Sequence, residues 1–145
     1  MILLAGWMLL IFMLSAQPGH DSAETSSLVA GFIYEIYSAL LAHAAHLDER
    51  TFMQLYLQPI RKLAHFTEFC VLGVLIYINV AAYRKERVFL YSLAFSILYA
   101  ISDEIHQLFV INRYCSLEDI GVDTAGALCG IFICHLVYSG WKKRH

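Results

Sequence analysis

Residues 88–111 read VFLYSLAFSILYAISDEIHQLFVI, an apolar run interrupted by Asp103, Glu104, His106 and Gln107. The run is long enough to cross a bilayer as a helix. An ionised side chain in hydrocarbon costs several kcal/mol, so such residues usually face one another or a water-filled cavity. This stretch therefore predicts a membrane helix with a polar site near one end.

Two further apolar stretches carry ionisable residues in the same way. Residues 63–83 contain His65 and Glu68 near their start, and a later stretch begins at Asp119 and Asp123. Because three helices carry buried charge, we expect them to share one polar site.

Composition indicates the class of protein. The chain has 145 residues, of which 59% are hydrophobic and 15% charged, and its mean hydropathy is +0.60. Soluble domains average about 25% charged residues. The sequence thus predicts a single domain, residues 1–145, that folds as an all-α, polytopic membrane helical bundle. The sequence contains no basic patch of the kind that would indicate a nucleic-acid partner.

We predict four transmembrane helices, at about residues 1–16, 63–83, 88–111 and 120–141, with an outer loop at 17–60. At about 1.5 Å of rise per residue, the last three can cross a hydrocarbon core about 30 Å thick. The first is marginal in length, and a signal peptide cleaved near Ser15 and Ala16 is the alternative. The absence of a basic start favours a retained helix.

Basic residues predict the orientation. They form two clusters, one between the second and third spans and one after the fourth: Arg84, Lys85 and Arg87, then Lys142, Lys143 and Arg144. The positive-inside rule places both clusters in the cytoplasm. We therefore expect a multi-pass protein of the cell membrane with both termini cytoplasmic and the polar site facing outward.

The outer loop contains a second hydrophobic segment, Leu28–Leu47. A fifth span here would place both basic clusters outside, so we predict an interfacial amphipathic helix instead. Asp48 is expected to cap a short helix, Phe52–Leu57, and Pro59 to turn the chain into the second span.

Helix geometry predicts that the polar residues converge. At 100° per residue, Arg61, His65 and Glu68 share one face of their helix. Glu68, Asp103 and Asp123 each lie roughly 10 Å below the outer face, at one common depth. The pattern predicts a funnel that is cationic at its rim and acidic within.

The predicted site has two groups of residues. The candidates for acid–base chemistry are His65, Glu68, Asp103, Glu104, His106 and Asp123. The candidates for binding substrate are Arg61, Lys62, Gln107, Arg113 and Asp119. Arg113 is the best candidate to neutralise the acids, because a guanidinium stays charged and can form two bonds to one carboxylate.

Two alternatives remain for these side chains. They could serve only as hydrogen bonds that brace the bundle, or they could bind a metal, since carboxylates and imidazoles are metal ligands. No His-Glu-x-x-His or Cys-x-x-Cys motif supports the metal. We therefore predict neither a metal nor a cofactor from the sequence.

Gly126 and Gly130 form a small-xxx-small pattern on the fourth predicted span. Such patterns let a neighbouring helix approach closely in membranes. They predict that another helix packs tightly against this face, and a homo-oligomer formed through the face would supply such a helix.

Two motifs resemble signatures of the VanZ-like membrane proteins. The first is Arg61-Lys62-Leu63-Ala64-His65-Phe66-Thr67-Glu68-Phe69, and the second runs from Tyr99 to Phe109 and on to Arg113, Ser116, Asp119, Asp123, Gly126 and Gly130. The likeness covers nearly the whole chain. It departs at Ile111-Asn112, where a Pro-Gly turn is common in the family.

The resemblance implies a cell-envelope function. One family member is associated with low-level resistance to teicoplanin, so a role in susceptibility to glycopeptide-type antibiotics is expected. Two alternatives stay open: an enzyme acting by acid–base chemistry on a lipid-linked envelope precursor, and a non-catalytic membrane assembly subunit. The implied partners are membrane lipids, including an anionic lipid-linked headgroup.

Overall fold

The computed structural model describes residues 1–41 and 47–142, with side chains described as far as Gly140. It contains five helices: α1 (Ile2–Ser15), α2 (Gly19–Leu40), α3 (Glu49–Tyr83), α4 (Val88–Gln107) and α5 (Leu117–Lys142). The described ranges contain no strand. The all-α membrane bundle predicted from the sequence is confirmed.

Three of the described helices are long and apolar enough to cross a membrane: α3, α4 and the Leu117–Gly140 part of α5. At 14 residues α1 is too short to do so alone. Taken with α2 it passes the same criteria, but the two helices are bent by 106° at their junction. The described residues therefore contain three helices that are candidates to span the membrane, or four if α1 and α2 form one broken span.

Helix α3 differs from the prediction. The expected short helix Phe52–Leu57 and the second span form one continuous helix of 35 residues, with Pro59 inside it. The predicted turn at Pro59 is wrong. The first turns of α3 are held by an aromatic cluster in which the Phe52 ring lies 5.3 Å from that of Tyr34 and 5.2 Å from that of Tyr37. This packing offsets the hydrogen bond that proline cannot donate.

The predicted cap of α3 is confirmed. Oδ2 of Asp48 accepts a hydrogen bond from the backbone N–H of Thr51 at 3.1 Å, and Oδ1 accepts one from the Thr51 hydroxyl at 2.7 Å. These bonds satisfy a donor that the first helical turn leaves free. They also lower the pKa of the exposed Asp48 carboxyl.

Helix α2 begins at Gly19 rather than at the predicted Leu28, and the predicted segment beyond Leu41 lies largely outside the described residues. Gly19 donates its backbone N–H to the carbonyl of Ile111 at 3.0 Å, and a Cβ at Gly19 would overlap the Asn112 carbonyl. Asn112 adopts a left-handed φ of 58°, which asparagine tolerates. Asn112 thus supports this turn at the point where the sequence departs from the motif described above.

One side of α2 is apolar and exposed. Leu28, Phe32, Ile36 and Leu40 recur every fourth residue, and all four are exposed. Residues at this spacing form a stripe along a helix. The stripe suits contact with lipid, as expected for a helix at the membrane interface.

Helices α3 and α5 pack backbone to backbone. A Cβ at Gly126 would overlap the carbonyl of Phe66, and a Cβ at Gly130 would overlap that of Cys70. Gly73 of α3 lies in the same way against Ala127 of α5. The tight packing predicted from the glycine spacing therefore occurs within the chain, and a second copy could use this face only by displacing α3.

Below the polar end, an apolar core joins α1, α3, α4 and α5. Its buried members are Ile11, Phe69, Leu72, Ile76, Ala100 and Ala127. This core fixes the relative positions of the helix ends that carry the polar residues.

Candidate functional site

Three carboxylates meet where the end of α4 faces the start of α5. Asp103, Glu104 and Asp123 each place one oxygen within 4.8 Å of the others. Asp103 is 3% exposed, and Glu104 and Asp123 are fully buried. The convergence of Asp103 and Asp123 follows from the common depth that helix geometry predicted. We call these three residues the acid cluster.

Asp103 is held from two sides. Its Oδ2 accepts hydrogen bonds from the hydroxyl of Ser15 at 2.8 Å and from the Nε2 amide of Gln107 at 3.1 Å. Its Oδ1 is buried and has no partner among the described residues. Gln107, predicted to bind substrate, is itself 2% exposed and orients Asp103.

Glu104 ties α4 to the start of α5. Its Oε2 accepts a hydrogen bond from the backbone N–H of Ser116 at 2.8 Å, whereas Oε1 is buried without a partner in the described structure. The Ser116 hydroxyl accepts the backbone N–H of Asp119 at 3.3 Å. Ser116 thus caps the start of α5.

Asp123 is the least compensated acid. Neither of its oxygens has a hydrogen-bond partner in the part of the chain that is described. The basic side chain within 4.0 Å of it in the described structure is His65, whose Nδ1 lies 3.7 Å from Oδ1 and is also buried and unpartnered. Because unsatisfied buried polar groups are costly, this arrangement calls for a proton, a cation or a ligand at the site.

A cavity of about 480 Å³ opens beside His65, between α1, α2 and α3. Four ionisable residues lie along it: Arg61, His65, Glu68 and Arg113. Most of the remaining wall is apolar, and α2 contributes three hydroxyls, those of Ser22, Thr25 and Ser26. Its volume is in the range of small-molecule binding sites.

A second, smaller cavity of about 170 Å³ lies at the mouth of the site. Its walls include Gln107 and Asp119, while Arg61, His65 and Arg113 line both cavities. At its rim Lys62 forms an exposed ion pair with Glu118. The two cavities therefore share their cationic wall.

Arg113 does not pair with the acids. It donates through Nη1 to the backbone carbonyl of Gln17 at 3.5 Å, and its Nε is buried without a partner among the described residues. No carboxylate of the described ranges lies within 4.0 Å of it, so the prediction that Arg113 neutralises the cluster directly is wrong. Burial, followed by the charge of Arg61, lowers its pKa.

Two predicted site residues, His106 and Glu68, are not members of the acid cluster. His106 stacks on the ring of Phe12, with 4.2 Å between ring centroids, and lines neither cavity. Glu68 lines the larger cavity, and its backbone carbonyl accepts a hydrogen bond from the indole of Trp7 at 3.0 Å.

Sequence reasoning missed the contribution of α1. Ser15 and Trp7 of α1 donate hydrogen bonds to Asp103 and to the backbone carbonyl of Glu68, and the carbonyl of Gln17, just after α1, accepts one from Arg113. A usable signal was present for Ser15, the only hydroxyl in an otherwise apolar segment. The contacts made to backbone carbonyls could not be recognised from the sequence, because every residue has a backbone carbonyl.

The profile of the VanZ/LLP1 family matches residues 1–138, which include all of the residues described above as the candidate site. Neither curated proteins nor solved structures offer a significant match. With its fold and both of its motifs inside the matched region, this multi-pass membrane protein belongs to the VanZ/LLP1 family.

Proposed function

We propose that this protein binds the anionic headgroup of a lipid-linked envelope precursor and acts on that headgroup by acid–base chemistry. One observation carries the proposal: the cavity beside His65 joins a largely apolar wall to two guanidinium groups and a His–Asp pair. An amphiphile with a charged head matches both parts of such a cavity.

The charged part of the cavity favours an anion. Arg61 and Arg113 line both cavities, and neither forms an ion pair with a carboxylate in the described structure. Two like charges that share one cavity repel each other, and an anion bound between them would offset that repulsion. Guanidinium groups bind phosphate with two parallel hydrogen bonds, which makes a phosphate-bearing headgroup the best match.

The apolar part favours a hydrocarbon chain. Leu14 of α1, Val29 and Ile33 of α2, and Leu63 and Val71 of α3 contribute to its wall. Burial of apolar surface contributes about 25 cal/mol per Å², so a chain lying along these residues would add to the affinity. The binding site thus has room for both ends of a lipid.

The His65–Asp123 pair supplies the chemistry. Nδ1 of His65 faces the buried Asp123, and the exposed part of the His65 ring lines the cavity. An imidazole held by a carboxylate can take a proton from an attacking water or hydroxyl and return it to the leaving group. The 3.7 Å distance is long for a hydrogen bond, and such contacts often tighten only when substrate binds.

The orientation of the protein in the membrane is part of the same proposal. Arg84, Lys85 and Arg87 lie between α3 and α4, at the end of these helices opposite the acid cluster. The positive-inside rule supports a cytoplasmic position for them, and hence a site that faces outward. An outward site would meet envelope precursors where glycopeptide-type antibiotics meet them, which supports a role in susceptibility to teicoplanin.

The binding step is tested with detergent-purified protein and a radiolabelled polyprenyl phosphate. Arg61→Gln should weaken binding about tenfold or more, since a charge-assisted hydrogen bond contributes about 1.5–3 kcal/mol. Arg50→Gln is the matched control, an exposed arginine on the same helix that lines neither cavity. Equal affinity of wild type and Arg61→Gln would refute the headgroup site.

The chemical step is tested separately from binding. His65→Gln should bind polyprenyl phosphate as wild type does but fail to change the headgroup of precursors that co-purify with the protein, as followed by mass spectrometry. If the protein is instead a non-catalytic assembly subunit, the headgroups should be the same in wild type and His65→Gln, and only the folding of the variant should suffer.

A further inference from the structure

The acid cluster has a feature that acid–base chemistry at His65 does not use. Asp103 and Glu104 line neither cavity and form no ion pair with His65 within 4.0 Å in the described structure. We propose that Asp103, Glu104 and Asp123 together bind one hard divalent cation of the Mg²⁺, Mn²⁺ or Ca²⁺ class. This inference goes beyond the headgroup proposal, because binding of the cation requires neither lipid nor turnover.

The spacing of the three side chains fits a cation. One oxygen from each lies within 4.8 Å of the other two. Cations of this class bind oxygen at about 2.0–2.6 Å, so two oxygens on one ion lie at most about 4–5 Å apart. The three oxygens are therefore close enough to bind one ion after small movements of their side chains.

The hydrogen bonding of Asp103 and Glu104 leaves one oxygen of each available. On Asp103, Oδ2 is held by Ser15 and Gln107 while Oδ1 has no partner; on Glu104, Oε2 is held by the Ser116 N–H while Oε1 has none, all within the described residues. Donors that hold one side of a carboxylate and leave the other side bare are typical of metal ligands.

Asp123 provides the independent observation. It is fully buried, it belongs to a different helix, and both of its oxygens lack a hydrogen-bond partner in the part of the chain that is described. A buried carboxylate without donors is costly, and structures that retain one usually supply an ion or a proton. Here one oxygen of Asp123 lies within 4.8 Å of one oxygen from each of two acids, and each of those acids also has an unpartnered oxygen in the described structure.

The charge and the type of ligand narrow the choice of ion. Three carboxylates repel one another strongly in a buried site, and the only basic group within 4.0 Å in the described structure is the imidazole of His65. A divalent cation would neutralise most of this charge. An all-oxygen set favours Mg²⁺, Mn²⁺ or Ca²⁺ over Zn²⁺, which prefers nitrogen and sulfur.

The test uses Mn²⁺ as the probe. Full-length protein in detergent is stripped with a chelator, and free Mn²⁺ is followed by electron paramagnetic resonance during titration. Wild type should show one saturable site, and Mg²⁺ or Ca²⁺ should compete for it. Absence of saturable binding at concentrations up to about 1 mM, the weak end of protein sites, would overturn the proposal.

Variants locate the site. Asp123→Asn and Glu104→Gln should each weaken Mn²⁺ binding at least about tenfold, because each removes a ligand. Glu118→Gln is the matched control, an exposed acid at the same end of the bundle, and should bind as wild type does. Undiminished binding in either folded ligand variant would overturn the proposal. Infrared bands of the wild-type carboxylates should shift on adding Mg²⁺, and unshifted bands would contradict the site without any variant.

Discussion

Nδ1 of His65 lies 3.7 Å from Oδ1 of Asp123, and the packing of two glycine-lined helices sets this distance. His65 precedes Phe66, whose carbonyl lies against Gly126, three residues after Asp123. One of the close backbone contacts between α3 and α5 therefore occurs beside the candidate site. Helix packing and site geometry depend on the same contact.

The first prediction follows from this contact. Gly126→Ala should destabilise the protein by about 1–3 kcal/mol, as overpacking usually does, and should move His65 away from Asp123. The added Cβ would meet backbone, which no rotation of a side chain can relieve. The midpoint of thermal unfolding in detergent measures the effect.

Gly121→Ala is the control for this prediction. It lies on the same helix, and a Cβ at that position would have no atom within 4 Å. Since alanine is a better helix former than glycine by about 1 kcal/mol, Gly121→Ala should be neutral or stabilising. Equal unfolding midpoints for the two variants would contradict the packing account.

The second prediction concerns the His–Asp pair. His65→Gln and Asp123→Asn should each lower headgroup turnover by about 10²–10⁴-fold, the usual contribution of general acid–base catalysis. The double variant should lose little more than either single one, because the two residues act as a unit. Turnover of a lipid-linked precursor by purified protein is the measurement.

His135→Gln is the matched control for the pair. His135 lies toward the other end of α5, where its Nδ1 is 3.0 Å from the hydroxyl of Tyr77. This variant should retain turnover. Full additivity of the two site variants, or an equal loss in His135→Gln, would contradict a coupled His65–Asp123 pair.

The third prediction tests the role of α1. Ser15→Ala removes a donor from the buried Asp103 and should destabilise the protein by about 1–3 kcal/mol, the usual cost of a buried polar group that loses its partner. Ser15→Thr keeps the hydroxyl and should recover most of the loss. Ser102→Ala, an exposed hydroxyl bonded to the Tyr99 carbonyl, should have little effect on the unfolding midpoint. A wild-type midpoint in Ser15→Ala would show that α1 does not support the site.

The convergence of the acids could be predicted because helices are regular. Once residues 103 and 123 are placed on helices of known rise, their depth follows from counting, and the cost of burying them predicts that they face inward. Glu104 joins them because it follows Asp103 at the end of α4. Regular structure and burial together fix this part of the site.

The positions of Pro59 and Arg113 depend on tertiary contacts that local patterns do not contain. Proline favours a break, yet Phe52 packs on Tyr34 and Tyr37 and the helix continues. Arg113 follows a turn whose course depends on the hydrogen bond from Gly19 to Ile111. That contact joins residues far apart in the chain, so the sequence pattern did not show that Arg113 faces Gln17.

The last prediction concerns orientation, and it uses a native thiol. Cys115 is exposed in the link between α4 and α5, whereas the other three cysteines lie within α3 or α5. If the site faces outward, a membrane-impermeant maleimide should label intact cells that express wild type but not cells that express Cys115→Ser. Lys85→Cys, introduced into the Cys115→Ser protein, should be labelled only after the cells are permeabilised, because the basic cluster around it is expected in the cytoplasm. Labelling of Lys85→Cys on intact cells would reverse the orientation and place the site on the cytoplasmic side, where it could not meet an antibiotic that stays outside.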